Sequence, residues 1–424
     1  MASLSETGIQ GPDGEDWRVP VSELENRLSI FSEELSNNQL TGAFIQNPID
    51  LYYFSGGRQN ATLFVPSKGS KASKEGGGEG PILFVRRSLS RAHFEAGGDD
   101  APLQIIPFPR MNSLVEELTK RGVSEAPGLQ FGEIPSDFIQ RFVNVLAPLG
   151  ECKDVTKIIH AVREVKSNWE IEQMKAGAII QGKMFAAVES NLKLGITELE
   201  LVAAAEQVSR SEGFGGNVQM RRYPLQCDRG VIVAGRSGGI PSFFDSAIGG
   251  SGPHPLSGMG SGFNKVKPNQ PILVDLVHVH RGYVVDMTRM FSIGKLSLDW
   301  HQRLEHMQEV NEIVVSSLGR GENCSSAWEK GSELANQLGY ENNLMGMMPD
   351  QSRFLGHSVG LQLDESPAVA KGFDRPLPIG GTMAIEPKVV YPEGSIGLED
   401  TWIRSREGLE CITNYNELDW LTEK

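Results

Sequence analysis

The sequence predicts two successive domains, an α/β layer domain and then an α+β domain. Three observations carry this. Short apolar runs alternate with helical patterns up to about residue 150. After residue 160 the pattern changes to long helices, opened by the capping boxes Ser167-Asn168-Trp169-Glu170 and Thr197-Glu198-Leu199-Glu200. Two β-rich stretches then run out and back through turn residues, as antiparallel hairpins do, without βαβ repeats. A chain of 424 residues is long enough to bury a full core without disulfides.

Residues 1–17 mix Gly, Ser and acids and read as a flexible tail. Ser22 to Glu25 has capping-box form and leads into Leu24, Leu28, Phe31 and Leu35, the spacing of an amphipathic helix. The first domain, 18–160, then holds strands at 42–46, 61–65, 81–85 and 129–132, with helices near 113–121 and 136–147. SKGSKASKEGGGEG (67–80) reads as a mobile loop within a hairpin. The second domain, 161–424, holds two helices, a Gly/Pro/Ser-rich stretch (235–262), a hairpin (271–293), two helices (about 299–318 and 326–338) and a Gly-rich strand region.

Composition excludes several classes of function. Cys152, Cys227, Cys324 and Cys411 are far apart and in no CxxC spacing, which argues against a zinc-thiolate site or a secreted disulfide framework. No run of about 18 apolar residues occurs, and the N-terminus lacks the basic start and apolar middle of a signal peptide. A cytoplasmic protein without a membrane partner is expected. Forty Lys plus Arg against 54 Asp plus Glu, a formal charge of −14, opposes a nucleic-acid partner.

The chemistry lies in the two hairpins. In PILVDLVHVHRGYVVDMTRMF (271–291), a two-residue turn at Arg281-Gly282 pairs His280 with Tyr283, Asp275 with Thr288 and Val277 with Asp286. Asp275 and Asp286 become diagonal neighbours on one face. In GTMAIEPKVVYPEGSIGLEDTWI (381–403), a turn at 392–395 pairing Tyr391 with Ile396 sets Glu386 opposite Thr401, with Glu399 diagonal to Glu386. The hairpins look like two halves of one construction. Four acids among Val, Ile, Leu and Met are costly to bury as bare charges, and divalent cations would neutralise them. His357, in FLGHSVGLQLDESP (354–367), has small neighbours that let the backbone approach, and it offers a nitrogen ligand. Four carboxylates and one imidazole suit manganese, cobalt or iron(II) better than a structural zinc site. His278 and His280 fall on the face opposite Asp275 and read as packed or exposed side chains.

In order and flanks, VDLVHVHRGYVVDMTRMF, FLGHSVGL, MAIEP and LEDT resemble the motifs of the creatinase/aminopeptidase P/prolidase/methionine aminopeptidase superfamily of M24 metallopeptidases. AVREVKSNWEIEQMKAG (161–177) resembles the opening of the catalytic domain in its proline-specific members. The resemblance spans about residues 18–413 and implies a C-terminal pita-bread domain preceded by a creatinase-type N-terminal domain. It implies five ligands, Asp275, Asp286, His357, Glu386 and Glu399, for two divalent ions, manganese first and cobalt, iron(II) or zinc as alternatives. Asp275 would bind one ion, His357 and Glu386 the other, and Asp286 and Glu399 both. Glu386 would also move the proton of the attacking water. The implied reaction is hydrolysis of Xaa-Pro peptides, as an aminopeptidase or a dipeptidase, in a homodimer.

The match fails in the surroundings of the metal. Asp364 and Ser242 stand where proline-specific members carry histidines. An apparent insertion follows Ser242 (243–262), and His254 within it is a candidate for the vacant role, beside Asp364. Gly397 stands where an arginine is common. Arg222 and Tyr223 are candidates for a carboxylate anchor or pocket lining, and Phe243 and Phe244 for a pocket wall, although packing is the commoner role for such residues. Two further readings stay open: a creatinase-like hydrolase or lyase acting on a small non-peptide substrate, and a pita-bread binding protein without catalysis.

Overall fold

Leu24, Leu28, Phe31 and Leu35 are all buried on one side of helix α1 (Val21–Asn37) in the computed structural model, which describes residues 8–223, 225–227, 230–243, 245–413 and 418–424. Ser22 lies inside this helix and not at its cap. Pro20 takes the cap position, and its carbonyl accepts the first bonds, from Glu23 and Leu24. Residues 8–17, expected as a tail, form a small turn closed by a Gln10–Asp16 bridge.

The chain divides into two units, Met1–Arg163 and Glu164–Lys424. In the first, α1 is followed by β1 (Gly42–Ile45), α2 (Pro48–Ser55), β2 (Ala61–Pro66), β3 (Ile82–Val85), α3 (Leu89–Glu95), β4 (Gln104–Pro107), α4 (Leu114–Lys120), α5 (Ser136–Leu146) and α6 (Thr156–Glu164). The strands form one sheet in the order β1-β2-β3-β4, antiparallel except for the parallel β3/β4 pair. Phe44, Phe64, Phe84, Leu114, Leu118 and Phe142 share its core. Strand β4 was not anticipated, and the expected strand at 129–132 is reduced to isolated bridges, Ala43 with Gly128 and Leu129 with Asp154. The loop at 67–80 is folded on itself: Gly78 and Gly80 donate to the carbonyls of Ser73 and Ala72, and Ala72 packs into the core.

In the second unit both capping boxes form. Ser167 and Glu170 exchange bonds at the start of α7 (Asn168–Asn191), and Thr197 and Glu200 do so at the start of α8 (Glu198–Ser211). These helices cover a sheet made of β5 (Gly230–Ala234), β6 (Ile272–His280) and β7 (Tyr283–Ser292), burying Met184, Phe185 and Leu201 against Val274, Leu276 and Met287. A second helix pair, α9 (Leu298–Gly319) and α10 (Cys324–Gln337), packs Met307, Val310 and Val314 against Leu355, Met383 and Ile385. Those last residues belong to strands β8 (Phe354–Ser358) and β10 (Thr382–Ile385), with β9 (Glu365–Ala370) between them in sequence. After β10 come β11 (Lys388–Tyr391), β12 (Gly394–Gly397), β13 (Asp400–Arg404), β14 (Leu409–Cys411) and β15 (Leu421–Glu423). The five-stranded sheet has the order β14-β13-β10-β8-β9, β11 pairs with β12, and β15 joins the edge of β7. Each half is thus a helix pair laid on an acid-bearing hairpin.

The first hairpin has the expected register: His280 opposes Tyr283, Asp275 opposes Thr288 and Val277 opposes Asp286. The second is shifted by two residues. Its turn is only Pro392-Glu393, so Tyr391 meets Gly394, Lys388 meets Gly397 and Ile385 meets Asp400. Gly394, at φ 154°, permits the early return, where a Cβ would lie 2.8 Å from Pro271 Cγ. A shift of two preserves the face.

The Gly-rich stretch after β5 is tied down by Glu198. Its buried carboxylate accepts from the backbone N–H groups of Ala234 (2.8 Å) and Gly262 (2.9 Å), from Asn264 Nδ2 (2.9 Å) and from Ser237 Oγ (3.2 Å). Glu198→Ala would strand two buried N–H donors, a loss of roughly 3 kcal/mol. Urea denaturation of the variant should show this loss together with faster amide exchange across 235–262. A change of less than about 0.5 kcal/mol would contradict the anchoring role.

Candidate metal centre

The two hairpins meet at one backbone bridge. Thr288 on β7 and Glu399, between β12 and β13, exchange N–H to carbonyl bonds, and Thr288 Oγ1 also donates to Glu399 Oε2 (2.9 Å). Two residues away, Thr401 Oγ1 accepts from the Asp286 N–H and donates to the Asp286 carbonyl. Behind this joint, buried Arg289 donates to the carbonyls of Thr288 and Glu399 and pairs with Asp400 at 2.9 Å. Removing one member of such a buried pair leaves an uncompensated charge. The joint sets Asp275, Asp286 and Glu399 side by side.

His357 comes from β8, which pairs with β10 through Gly356 opposite Ile385 and His357 opposite Ala384. A Cβ on Gly356 would lie 2.3 Å from the Ala384 carbonyl, so glycine allows the approach that brings His357 Nε2 to 3.3 Å from Glu386 Oε1 and 3.9 Å from Asp286 Oδ2. One ligand-type atom from each of Asp286, His357 and Glu399 falls within 4.8 Å of the others. Asp286 Oδ1, Glu399 Oε1 and His357 Nδ1 are buried and have no hydrogen-bond partner among the described residues. The two carboxylate oxygens among them, unpartnered in a nest of buried acids, are what a divalent ion satisfies, so the donor set fits an ion of this kind.

The sixth member of the nest is Lys388, which sequence reasoning missed. It is fully buried, and its Nζ lies 2.6 Å from Glu386 Oε2, 2.8 Å from Glu399 Oε2 and 3.6 Å from Asp275 Oδ2. The signal was present, since Lys388 is the one cation in the apolar run after Glu386, as unusual there as the acids were. Gly397 opposite makes room: a Cβ on it would sit 2.6 Å from Lys388 Cα and Cγ.

Protonation in the nest follows burial and neighbours. Burial, reinforced by Glu399, Asp275 and Glu386, pushes Asp286 well above the carboxylate range. Burial also pushes Glu399 up to about 8, with Glu386 adding to it against Lys388. Asp275 is raised by burial, which Lys388 opposes. Burial would raise Glu386 too, but Lys388 and His357 bring it down to about 2. For His357, burial is outweighed by Glu386 and the other acids, which lift it to about 9. Burial works against a charged Lys388, but Glu386, Glu399 and Asp275 hold its pKa above the usual lysine range.

Asp275, Asp286, His357, Glu386 and Glu399 line one cavity of about 490 Å³ in the second unit. Its apolar wall includes Val231, Ile248, Met259, Phe354, Leu363 and Phe373. Asp364 also lines it, but its carboxylate is engaged by the N–H groups of Arg221 (2.5 Å) and Arg222 (3.0 Å) and by Arg222 Nε (3.2 Å). It anchors a wall segment and is not a free acid. Glu365, beside it, pairs with buried Lys166 at 3.0 Å, which gives the lysine of the 161–177 motif a positioning role.

His254 does not reach this cavity. The insertion folds back through Gly250 N–H to the Ile240 carbonyl and Gly260 N–H to the Gly249 carbonyl. Asp245, Ser246, Ile248 and Met259 therefore line the cavity, while His254 is exposed in an outer turn closed by Ser257. Ser242 lines a separate, smaller cavity. Tyr223 is 97% exposed and Phe243 60% exposed, so neither is a core wall, and Phe244 lies outside the described residues. His278 faces away from Asp275, bonded to Ser209 Oγ at 2.8 Å, and burial lowers it to about 3. Among the described residues no helix is long and apolar enough to cross a membrane.

The model of metallopeptidase family M24 matches residues 172–404, more than half of the chain, and that of the creatinase/prolidase N-terminal domain matches residues 27–165. An Xaa-Pro dipeptidase of Pyrococcus furiosus is 20% identical over 402 residues, covering 92% of this chain and 98% of the relative. Among solved structures, an Xaa-Pro dipeptidase from Bacillus anthracis superposes with a TM-score of 0.76 at 16% identity, covering 95% of this chain and 100% of that one. An X-Pro aminopeptidase from Thermotoga maritima superposes at 0.73 with 19% identity, covering 91% and 98%. Aligned over nearly their whole lengths, these structures share the fold. With both family models matched in order along it, this chain belongs to the M24 metallopeptidases, a pita-bread domain preceded by a creatinase-type N-terminal domain.

Proposed function

We propose that the chain is a metal-dependent exopeptidase that cleaves the bond before a proline at the second position of a short peptide. The observation that carries this reading is the convergence of Asp275, Asp286, His357, Glu386 and Glu399 on one cavity, with unpartnered carboxylate oxygens on Asp286 and Glu399. Asp286, His357, Glu386 and Glu399 would hold divalent metal, manganese first, which when bound polarises a scissile carbonyl and activates water. Glu386 is fully ionised at neutral pH and is the group to take a proton from water and return it to the departing amine. The apolar wall at Ile248, Met259, Phe354 and Phe373 suits a proline ring and excludes water from the reacting bond. Arg353 and Lys371 line the same cavity, and among the described residues neither is ion-paired, which favours a substrate whose own carboxylate reaches inside, as a dipeptide's would.

A second reading, a creatinase-like hydrolase or lyase acting on a small non-peptide substrate, is favoured by Asp364. Where the resemblance leads one to expect a histidine, the cavity presents an acid tied to Arg221 and Arg222. A panel of Xaa-Pro dipeptides, Xaa-Pro-Xaa tripeptides and creatine, assayed with metal-stripped protein restored with manganese, cobalt, iron(II) or zinc, separates the two. Metal-dependent release of the first residue from the dipeptides is expected, with Asp286→Ala losing roughly a thousandfold or more in kcat/KM, since a Lewis-acid contact contributes several kcal/mol. Turnover of creatine with no peptide cleavage would replace the first reading with the second.

Metal uptake should also displace protons. Glu399, at about 8, and His357, at about 9, hold protons at neutral pH that a bound cation must remove. Affinity for manganese should therefore rise as pH increases from about 6 toward 9, as proton competition fades. Calorimetry in buffers of different ionisation enthalpy measures both the released protons and the trend. A pH-independent affinity without proton release would contradict the assignment.

A further inference from the structure

The nest already contains a cation of its own. Lys388 reaches it from the start of β11, only two residues beyond Glu386, because Gly397 on the facing strand leaves its stem unobstructed. The ammonium donates to Glu386 Oε2 and Glu399 Oε2 and is ion-paired with Asp275 Oδ2 at 3.6 Å, so it contacts three of the four acids. Each oxygen it occupies is withdrawn from a metal ion. What remains nearest His357 Nε2 is Glu386 Oε1 (3.3 Å) and Asp286 Oδ2 (3.9 Å), together with Asp286 Oδ1 and Glu399 Oε1, both without partners among the described residues. These donors cluster on the His357 side of the nest. Asp275, the acid expected to bind the other ion, faces the lysine.

Charge leads to the same count. Two divalent ions alone would balance Asp275, Asp286, Glu386 and Glu399, and a buried ammonium in contact with two of these acids would leave the nest with surplus positive charge in a medium that screens it poorly. One divalent ion plus the ammonium leaves a single negative charge, which a neighbouring hydrogen-bond donor such as Thr288 helps to hold.

We propose that Lys388 takes the place of one of the two metal ions, so that this chain binds a single divalent ion between Asp286, His357, Glu386 and Glu399. The inference rests on the metal-dependent reading above and specifies its centre. Glu399, shared between two ions in the expected arrangement, is here shared between one ion and the lysine.

The test is a count of bound metal. Full-length protein stripped with chelator, loaded with manganese and freed of excess by gel filtration is analysed by elemental mass spectrometry and by electron paramagnetic resonance. Wild type should retain about one ion per chain, with the spectrum of an isolated manganese ion, and Lys388→Met about two, with the spectrum of an exchange-coupled pair. Two coupled ions in wild type would overturn the proposal and make Lys388 an outer partner of a dinuclear centre. One ion in both proteins would also overturn it, since the lysine would not be what excludes the second. Should Lys388→Met fail to fold, Lys388→Gln, which keeps a polar side chain but no charge, takes its place in the count. No ion in wild type would defeat the metal-dependent reading itself, an outcome distinct from two.

Discussion

Burying four carboxylates in one nest is the constraint on which the second unit is built. Asp275, Asp286, Glu386 and Glu399 are each less than a tenth exposed, and strands of Val, Ile and Met offer them no solvent. Burial, and then repulsion between the packed acids, favours protonation and shifts Asp286 and Glu399 upward. Only positive charge at the centre makes the arrangement stable in its ionised form. The structure supplies part of that charge through Lys388 and leaves unpartnered oxygens for the rest. The geometry of the hairpins is the means by which the acids are held together against their repulsion.

Several layers of ordinary packing serve this end. The Thr288–Glu399 bridge joins the hairpins, the Arg289–Asp400 pair locks the joint from behind, and Gly356 lets the histidine strand close in. Two helix pairs, one on each hairpin, seal the apolar faces. The insertion after β5 would be loose by composition, yet Glu198 gathers both of its ends with four hydrogen bonds, and Ile248 and Met259 become part of the cavity wall. Backbone order at a distance thereby becomes shape at the site.

Much of this was legible in the sequence where local rules decide. Both capping boxes after residue 160 and the first hairpin, with its two-residue turn at Arg281-Gly282, have the expected bonds and register. The acids and His357 stood out because charge is rare in β-rich runs. The second hairpin was misregistered by two, because PEGS can turn over two residues or four and only contact with the first hairpin selects between them. Face parity survived that error, so the acids still converged. His254 was a candidate for the cavity on proximity in sequence, which a glycine-rich segment folding on itself does not respect. Lys388 was overlooked since a lysine in a strand is ordinarily a solvated side chain, and its burial depends on Gly397 across the hairpin, a long-range fact.

In the proposed centre, one bound cation and one lysine share the neutralisation of this nest. Anomalous diffraction at the manganese edge, from crystals of the metal-loaded protein, tests it most directly. A single peak is expected, bounded by Asp286, His357, Glu386 and Glu399, with Lys388 Nζ still between Glu386 and Glu399. Two peaks spanned by Asp286 and Glu399, with the lysine displaced from the nest, would contradict it.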